Sequence, residues 1–414
     1  MEKLAKKINL GYISDAGFYS RAFNSQVLSL LNGVKDEVGN ISLVILQQSL
    51  FPFLKVINPE IKRNEDRIRN QFKTVEVVVQ TPRILRCLMK IESQVLRKII
   101  NNNLDKVNVL HCHGEAGGYL GLLARKEIGR DIPLISDLRG LVSQESLLCG
   151  KEADFIRSFL FNFRAYEFQK IEEYVIRESD LILCVSWKFK EYLQEMYKVN
   201  PDKIAVVPSL VDSSSFFFNP EARARKRQEL GIERRIVFVY SGSTVKWQLP
   251  EETVAFFKNI KEMISEAFLL FLTSDVSRAR KYFKGIDEGD YLLISAPYRE
   301  VSAYLNAGDI SILLREKNLV NRVASPIKFG EYLCCGLPII MTPGIGDTEE
   351  IIEEYGIGKL LDLEQLKIDK NGLNQLINNA EREKIAKIGK KLFSVESYKS
   401  KIISYWTQVL RKFS

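Results

Sequence analysis

Along the 414-residue chain, short runs of β-branched and aliphatic residues alternate with longer segments whose apolar positions recur at helical spacing. This is the pattern of parallel sheets covered by helices. In the first half it predicts strands over residues 8–13, 41–46, 75–79, 107–111, 134–136, 181–185 and 204–207. After Pro208 the alternation stops at SLVDSSSFFFNPEARARKRQELGIERR, which reads as a link followed by a short basic helix. It resumes with strands predicted over 236–240, 268–272, 291–295, 310–314 and 338–341. Two such halves predict an α/β architecture of two Rossmann-like domains facing each other across a cleft. The last segment carries Tyr398, Ile402, Ile403, Trp406, Val409, Leu410 and Phe413 at helical spacing, so its apolar face needs a cover. Since the second sheet already has its helices, this C-terminal helix is predicted to cross back to the first domain. The predicted boundaries are 1–208, a link over 209–235, 236–395, and the C-terminal helix over 396–414.

Composition narrows the class. The length exceeds what one core usually supports, and 46% hydrophobic with 27% charged residues is ordinary for a globular protein. No apolar run approaches the ~20 residues that span a bilayer, and the N-terminal MEKLAKKINLGYIS has no apolar core followed by a cleavage site, so a cytoplasmic location is expected. Cys87, Cys112, Cys149, Cys184, Cys334 and Cys335 lack metal-ligand spacing and read as reduced, mostly buried residues; two histidines exclude a His-rich metal site. The net charge of +8 comes without a recognition-helix or RNA-binding signature, so no nucleic-acid partner is expected.

In open parallel sheets ligands bind beyond the carboxyl ends of the strands, where loops enter helix N-termini. That rule selects His111-Cys112-His113-Gly114-Glu115-Ala116-Gly117-Gly118 in the first half. His111 reads as a satisfied strand-end residue, and His113 as the functional one. Gly17, in the loop from Ser14 to Ser20, offers backbone amides to a phosphate or a sugar or simply makes a tight turn; the G-x-G-x-x-G of a dinucleotide site is missing. In the second half, Ser241-Gly242-Ser243-Thr244-Val245-Lys246-Trp247 suits a pyrophosphate, through backbone donors and one point charge. In the stretch from Ser325 to Ile340, Ser325 reads as an N-cap with Pro326 at the first helical position, and Glu331 sits among apolar neighbours. Buried there, it needs donors: paired ribose hydroxyls, or Lys328 at i, i+3. The segment from Phe155 to Arg164 mixes aromatic and basic residues. Core packing of a long helix is the preferred account, and contact with a membrane surface the other.

These residues in this order resemble the retaining, nucleotide-sugar-dependent glycosyltransferases of family 4, which have the GT-B fold. The resemblance runs through VLHCHGEAGGYLGLLA, DLRG from Asp137 to Gly140, Glu172 eight positions before Asp180, KIAVVPSLVDSSSF, VFVYSGSTVKW, YLNAGDISILL and SPIKFGEYLCCGLPII. It implies a donor sugar held mainly by the second domain and an acceptor held mainly by the first. Glu331 would bind the ribose, Lys246 the pyrophosphate, and His113 would lie beside the donor sugar; these three are the candidate catalytic residues. The donor set is completed by Gly242, Ser243, Pro297, Tyr298, Ser325, Pro326, Ile327 and Lys328, with Ala296-Pro297-Tyr298 near the base. Gly17, Asp137 and Arg139 join His113 on the acceptor side. The chain departs from the family at Val323, where a second glutamate is common, at Ser243, where an arginine is common, and at Ser209-Leu210, which replace asparagine-glycine.

No Asp-x-Asp stands in a strand-end loop, so a metal-independent transfer is expected, with no cofactor and a UDP- or GDP-sugar as substrate. The expected function is retaining sugar transfer to a glycan or lipid-linked acceptor in surface polysaccharide assembly, with peripheral contact at the inner face of the membrane. Two other readings stand beside it: a non-catalytic GT-B partner subunit, and a sugar-nucleotide epimerase.

Overall fold

The computed structural model describes residues 8–17, 23–48, 65–72, 74–80, 106–378 and 380–413. The chain divides into two units, Met1–Pro208 with Tyr398–Ser414, and Ser209–Ser397.

In the first unit the strands are β1 (Asn9–Ser14), β2 (Asn40–Gln48), β3 (Thr74–Gln80), β4 (Val109–His113), β5 (Leu134–Leu138), β6 (Leu181–Cys184) and β7 (Ile204–Val206). They form a parallel sheet of order β3-β2-β1-β4-β5-β6-β7. The order reverses between β1 and β4, which makes their carboxyl ends the switch point where such sheets bind ligands. Register brings Ser14, His113 and Asp137 side by side there. β4 starts two residues later than the sequence pattern predicts, because the Asn108 side chain accepts from Asn9 N at 2.9 Å and holds that residue at the sheet's edge. His111 is therefore mid-strand and His113 is the last strand residue.

Side chains alternate across a strand. Tyr12 and His111 stack on one face, while Cys112 faces helix Glu115–Ile128, whose glycines allow close approach: a Cβ at Gly118 would meet Ser136 Oγ at 2.9 Å. Gly117 and Gly118, expected in the turn, thus lie inside the helix. Gly114 alone makes the turn, at φ +77°.

Helix Phe155–Glu178 corrects one expectation. Its burial begins at Ala165, and its first turns point outward, with Phe155 89%, Ile156 71% and Phe159 66% exposed. The segment from Phe155 to Arg164 is not core packing.

In the second unit β8 (Ile236–Ser241), β9 (Ala267–Leu272), β10 (Tyr291–Ile294), β11 (Ile310–Leu313), β12 (Ile339–Met341) and β13 (Gly358–Leu360) are parallel, in the order β10-β9-β8-β11-β12-β13. The switch point lies between β8 and β11. β13 escapes the sequence pattern because its three residues, Gly-Lys-Leu, carry no apolar run. The basic helix Pro220–Leu230 is docked by Arg223 and Arg227, which pair with Asp309 at 2.5 and 3.1 Å.

Helix Ile327–Cys334, which carries Glu331, packs on helix Arg382–Phe393. Gly389 makes this possible: a Cβ there would meet Leu333 C and Cys334 N at 2.6 Å, both backbone atoms. Gly389→Ala is expected to cost about 1–3 kcal/mol by overpacking, read as a lower urea midpoint.

Candidate functional site

At the switch point of the first sheet, the loop after β1 supplies Asp15, β4 supplies His113, and the segment after β5 supplies Arg139. His113 Nδ1 lies 3.4 Å from Asp15 Oδ1, and Nε2 lies 3.4 Å from Gln26 Oε1. Arg139 Nε donates to the same Gln26 oxygen at 3.4 Å, and Nη1 donates to Asp137 Oδ1 at 3.1 Å. Three of the four acceptor-side residues from the sequence, His113, Asp137 and Arg139, thus form one polar cluster. The fourth, Gly17, stands against Gln47, whose Cδ would be 2.9 Å from an added Cβ; its missing side chain makes room for that amide. Burial opposes ionisation of Asp137, yet Arg139 and the His111 ring hold its carboxyl well below the usual carboxylate range. Asp15 and Gln26 are additions of the structure. Gln26 sits in a π-helical turn, Phe23–Leu28, that carries no motif.

Glu172, quoted within the resemblance, is buried and accepts from Ser143 N at 3.1 Å and Ser143 Oγ at 2.8 Å. It anchors the start of helix Val142–Lys151 and is not part of the cluster. Burial pushes its carboxyl up to about 6 against those hydrogen bonds. Burial, and then the charge of Glu172, raises Glu115 well above the carboxylate range.

In the second unit three segments meet at the carboxyl edge. After β8, Gly242 N donates to Leu272 O at 3.0 Å, Ser243 N donates to Gln248 Oε1 at 3.2 Å, and Tyr240 Oη donates to Ser243 O at 2.7 Å. The loop is fixed by its own polar groups. Lys246 within it is exposed and makes no ion pair among the described residues. After β11, Asn321 donates from Nδ2 to Trp247 O at 3.1 Å and Glu316 O at 2.7 Å, bracing the lysine loop from the next strand of the switch point. Asn321 is fully buried in this role, and Val323 is buried beside it. The third segment is helix Ile327–Cys334. Its N-cap position is Pro326, without a side-chain cap. Ser325 instead accepts from Ser209 N at 3.1 Å, so the capping expectation is corrected.

Glu331 is 1% exposed and its Oε2 accepts from Lys328 Nζ at 2.6 Å. The neighbouring Tyr332 ties this helix to β8, because its Oη accepts from Ser241 N at 2.7 Å. Tyr298, at the start of helix Tyr298–Ala307, has its phenol raised by burial, then by the Glu331 and Asp212 carboxylates, so it lies in the electrostatic reach of Glu331. Pro297 next to it is exposed and Ile327 is half-buried. The donor-side residues named from the sequence therefore share one edge of the second sheet, with Lys246 in one loop and Glu331 on the adjoining helix. Among the described residues no group of three or more His, Cys, Asp or Glu side chains could hold a metal ion.

Residues 56–215 match the model of Glycosyltransferase Family 4. An uncharacterized glycosyltransferase of Methanocaldococcus jannaschii is 22% identical over 242 residues, covering 57% of this chain and 59% of that one. A D-inositol 3-phosphate glycosyltransferase of Segniliparus rotundus is 24% identical over 188 residues, covering 45% of this chain and 35% of that one. The chain thus matches less than two thirds of the length of these curated relatives. Among solved structures, HepE of Anabaena in complex with UDP and glucose superposes with a TM-score of 0.69 at 12% identity, covering 97% of this chain and 100% of that one. The fold is GT-B.

Two outcomes test this geometry. Gly114→Ala places a Cβ into the Asp15 carboxylate and a side chain at φ +77°, ψ 164°, so a loss of about 1–3 kcal/mol is expected in chemical denaturation. For Glu172, the folded carboxyl titrates above its unfolded value, so its contribution is present below pH 4.5 and is lost as pH rises to about 6. Wild type is therefore expected to lose on the order of 1 kcal/mol relative to Glu172→Gln across that window, read from urea midpoints at each pH.

Proposed function

We propose that this chain is a glycosyltransferase that moves a sugar from a nucleotide donor to a glycan or lipid-linked acceptor, with retention and without a metal. The observation that carries the reading is the edge of the second sheet, where an exposed lysine in a rigid loop and a buried glutamate on the adjoining helix stand at the switch point. Lys246 suits a pyrophosphate, held by a loop whose Gly242 and Ser243 amides are tied down within the unit, and Glu331 suits paired ribose hydroxyls in exchange for, or alongside, Lys328. In the first unit His113, Asp15 and Arg139 offer donors and acceptors to sugar hydroxyls. The GT-B fold and the UDP and glucose bound by HepE support a UDP-sugar as donor.

In the step proposed, the bond between the anomeric carbon and the phosphate oxygen breaks while the acceptor oxygen bonds to that carbon on the same face. The acceptor proton passes to the departing phosphate oxygen. The enzyme then needs charge stabilisation rather than a strong base, and Lys246 supplies it.

The exposed turn carrying Phe155, Ile156 and Phe159, with Arg157 inside it and Arg164 after it, suits shallow insertion into an anionic membrane surface, where a lipid-linked acceptor would lie. No helix among the described residues is long and apolar enough to cross a membrane. The setting proposed is surface polysaccharide assembly at the cytoplasmic face.

Thermal-shift measurement with UDP, GDP, ADP and CMP and their sugars is expected to show one nucleotide raising Tm, by the equivalent of about 2.7 kcal/mol at a hundredfold excess over Kd. Lys246→Ala and Glu331→Ala should abolish the shift while circular dichroism stays native. No shift with any nucleotide would favour a non-catalytic partner of the same fold, and donor turnover without acceptor would favour an epimerase. Cosedimentation with anionic vesicles at low salt is expected for wild type and not for Phe159→Asp; wild type left in the supernatant removes the membrane contact.

A further inference from the structure

The face of the first sheet that bears Tyr12 and His111 carries a line of polar groups running from the C-terminal helix Val395–Lys412 to His113. Trp406, fully buried, donates from Nε1 to His111 Nδ1 at 3.0 Å. The His111 ring is stacked on Tyr12 with centroids 4.7 Å apart and meets the indole edge-on at 81°. An indole N–H only donates, so His111 Nδ1 must present a lone pair, and a neutral ring then carries its proton on Nε2. Nε2 lies 3.5 Å from Asp137 Oδ2, an electrostatic contact without hydrogen-bond geometry, and is otherwise unpartnered. From Asp137 the line continues through Arg139 and Gln26 to His113 by contacts of 3.1, 3.4 and 3.4 Å.

We propose that Trp406 and His111 are positioning residues for the His113 cluster: the indole sets the His111 tautomer, and the tautomer orients Asp137 and, through it, Arg139. The opposite tautomer would turn a lone pair toward a buried carboxylate, a repulsion that low local dielectric leaves unscreened, and Asp137 would rotate away from Arg139. The catalytic meaning of the cluster rests on the proposed function. The ring states are read without any donor or acceptor, so the two ideas fail separately.

The chain has two histidines. Nitrogen NMR of protein labelled in its histidine rings therefore shows two rings, assigned with His113→Asn. The expected result is His111 as a single neutral tautomer protonated on Nε2. Trp406→Phe keeps a ring and removes the donor; it should bring His111 into exchange between tautomers and shift the His113 resonances. Asp137→Asn should shift His113 as well. A His111 proton on Nδ1 in the native protein would overturn the proposal. So would unmoved His113 resonances in a Trp406→Phe protein with native circular dichroism. Should Trp406→Phe fail to fold, unmoved His113 resonances in Asp137→Asn would overturn it equally.

Discussion

A parallel sheet must be covered on both faces, because its strands are reached only by crossovers that lay helices over it. That constraint governs both units. With the faces sealed by apolar contacts, the carboxyl edge is where the chain turns from strand to helix and can present polar groups. Both candidate clusters sit there, beside β1 and β4 in one unit and β8 and β11 in the other. The strand interiors are correspondingly uniform: β9 reads Ala-Phe-Leu-Leu-Phe-Leu and is buried throughout.

Several of the carboxylates drawn into these interiors are partnered. Glu331 is held by Lys328, Glu172 by Ser143, Asp309 by two arginines, and Asp137 by Arg139. A buried charge without a partner costs more than most single contacts contribute, so each pairing also fixes geometry. Fixing geometry is what the donor side of the proposed transferase requires. The Gly242–Ser243 loop is held by Tyr240 and Gln248, and the lysine loop by Asn321, while the Lys246 side chain stays exposed at that edge. At two of the departures from the family pattern, Val323 is buried and apolar and Ser243 uses its backbone groups within the loop.

The sequence by itself determined the α/β class, the strands of both sheets except β13, and the strand-to-helix segments in which His113, Lys246 and Glu331 lie. It could do so because buried parallel strands are apolar runs and because strand-to-helix turns are marked by glycine, proline and small polar residues. What only the tertiary structure decided are facts about neighbours far apart in the chain. The sequence pattern does not show that Asp15 and Gln26 flank His113, that Trp406 reaches His111 across 295 positions, or that Asn321 braces Trp247. Nor does periodicity reveal that Phe155, Ile156 and Phe159 face outward, since an apolar stripe looks the same whether or not the described residues cover it. Local patterns fix what each segment must bury. Which distant side chains meet is set by how the segments pack.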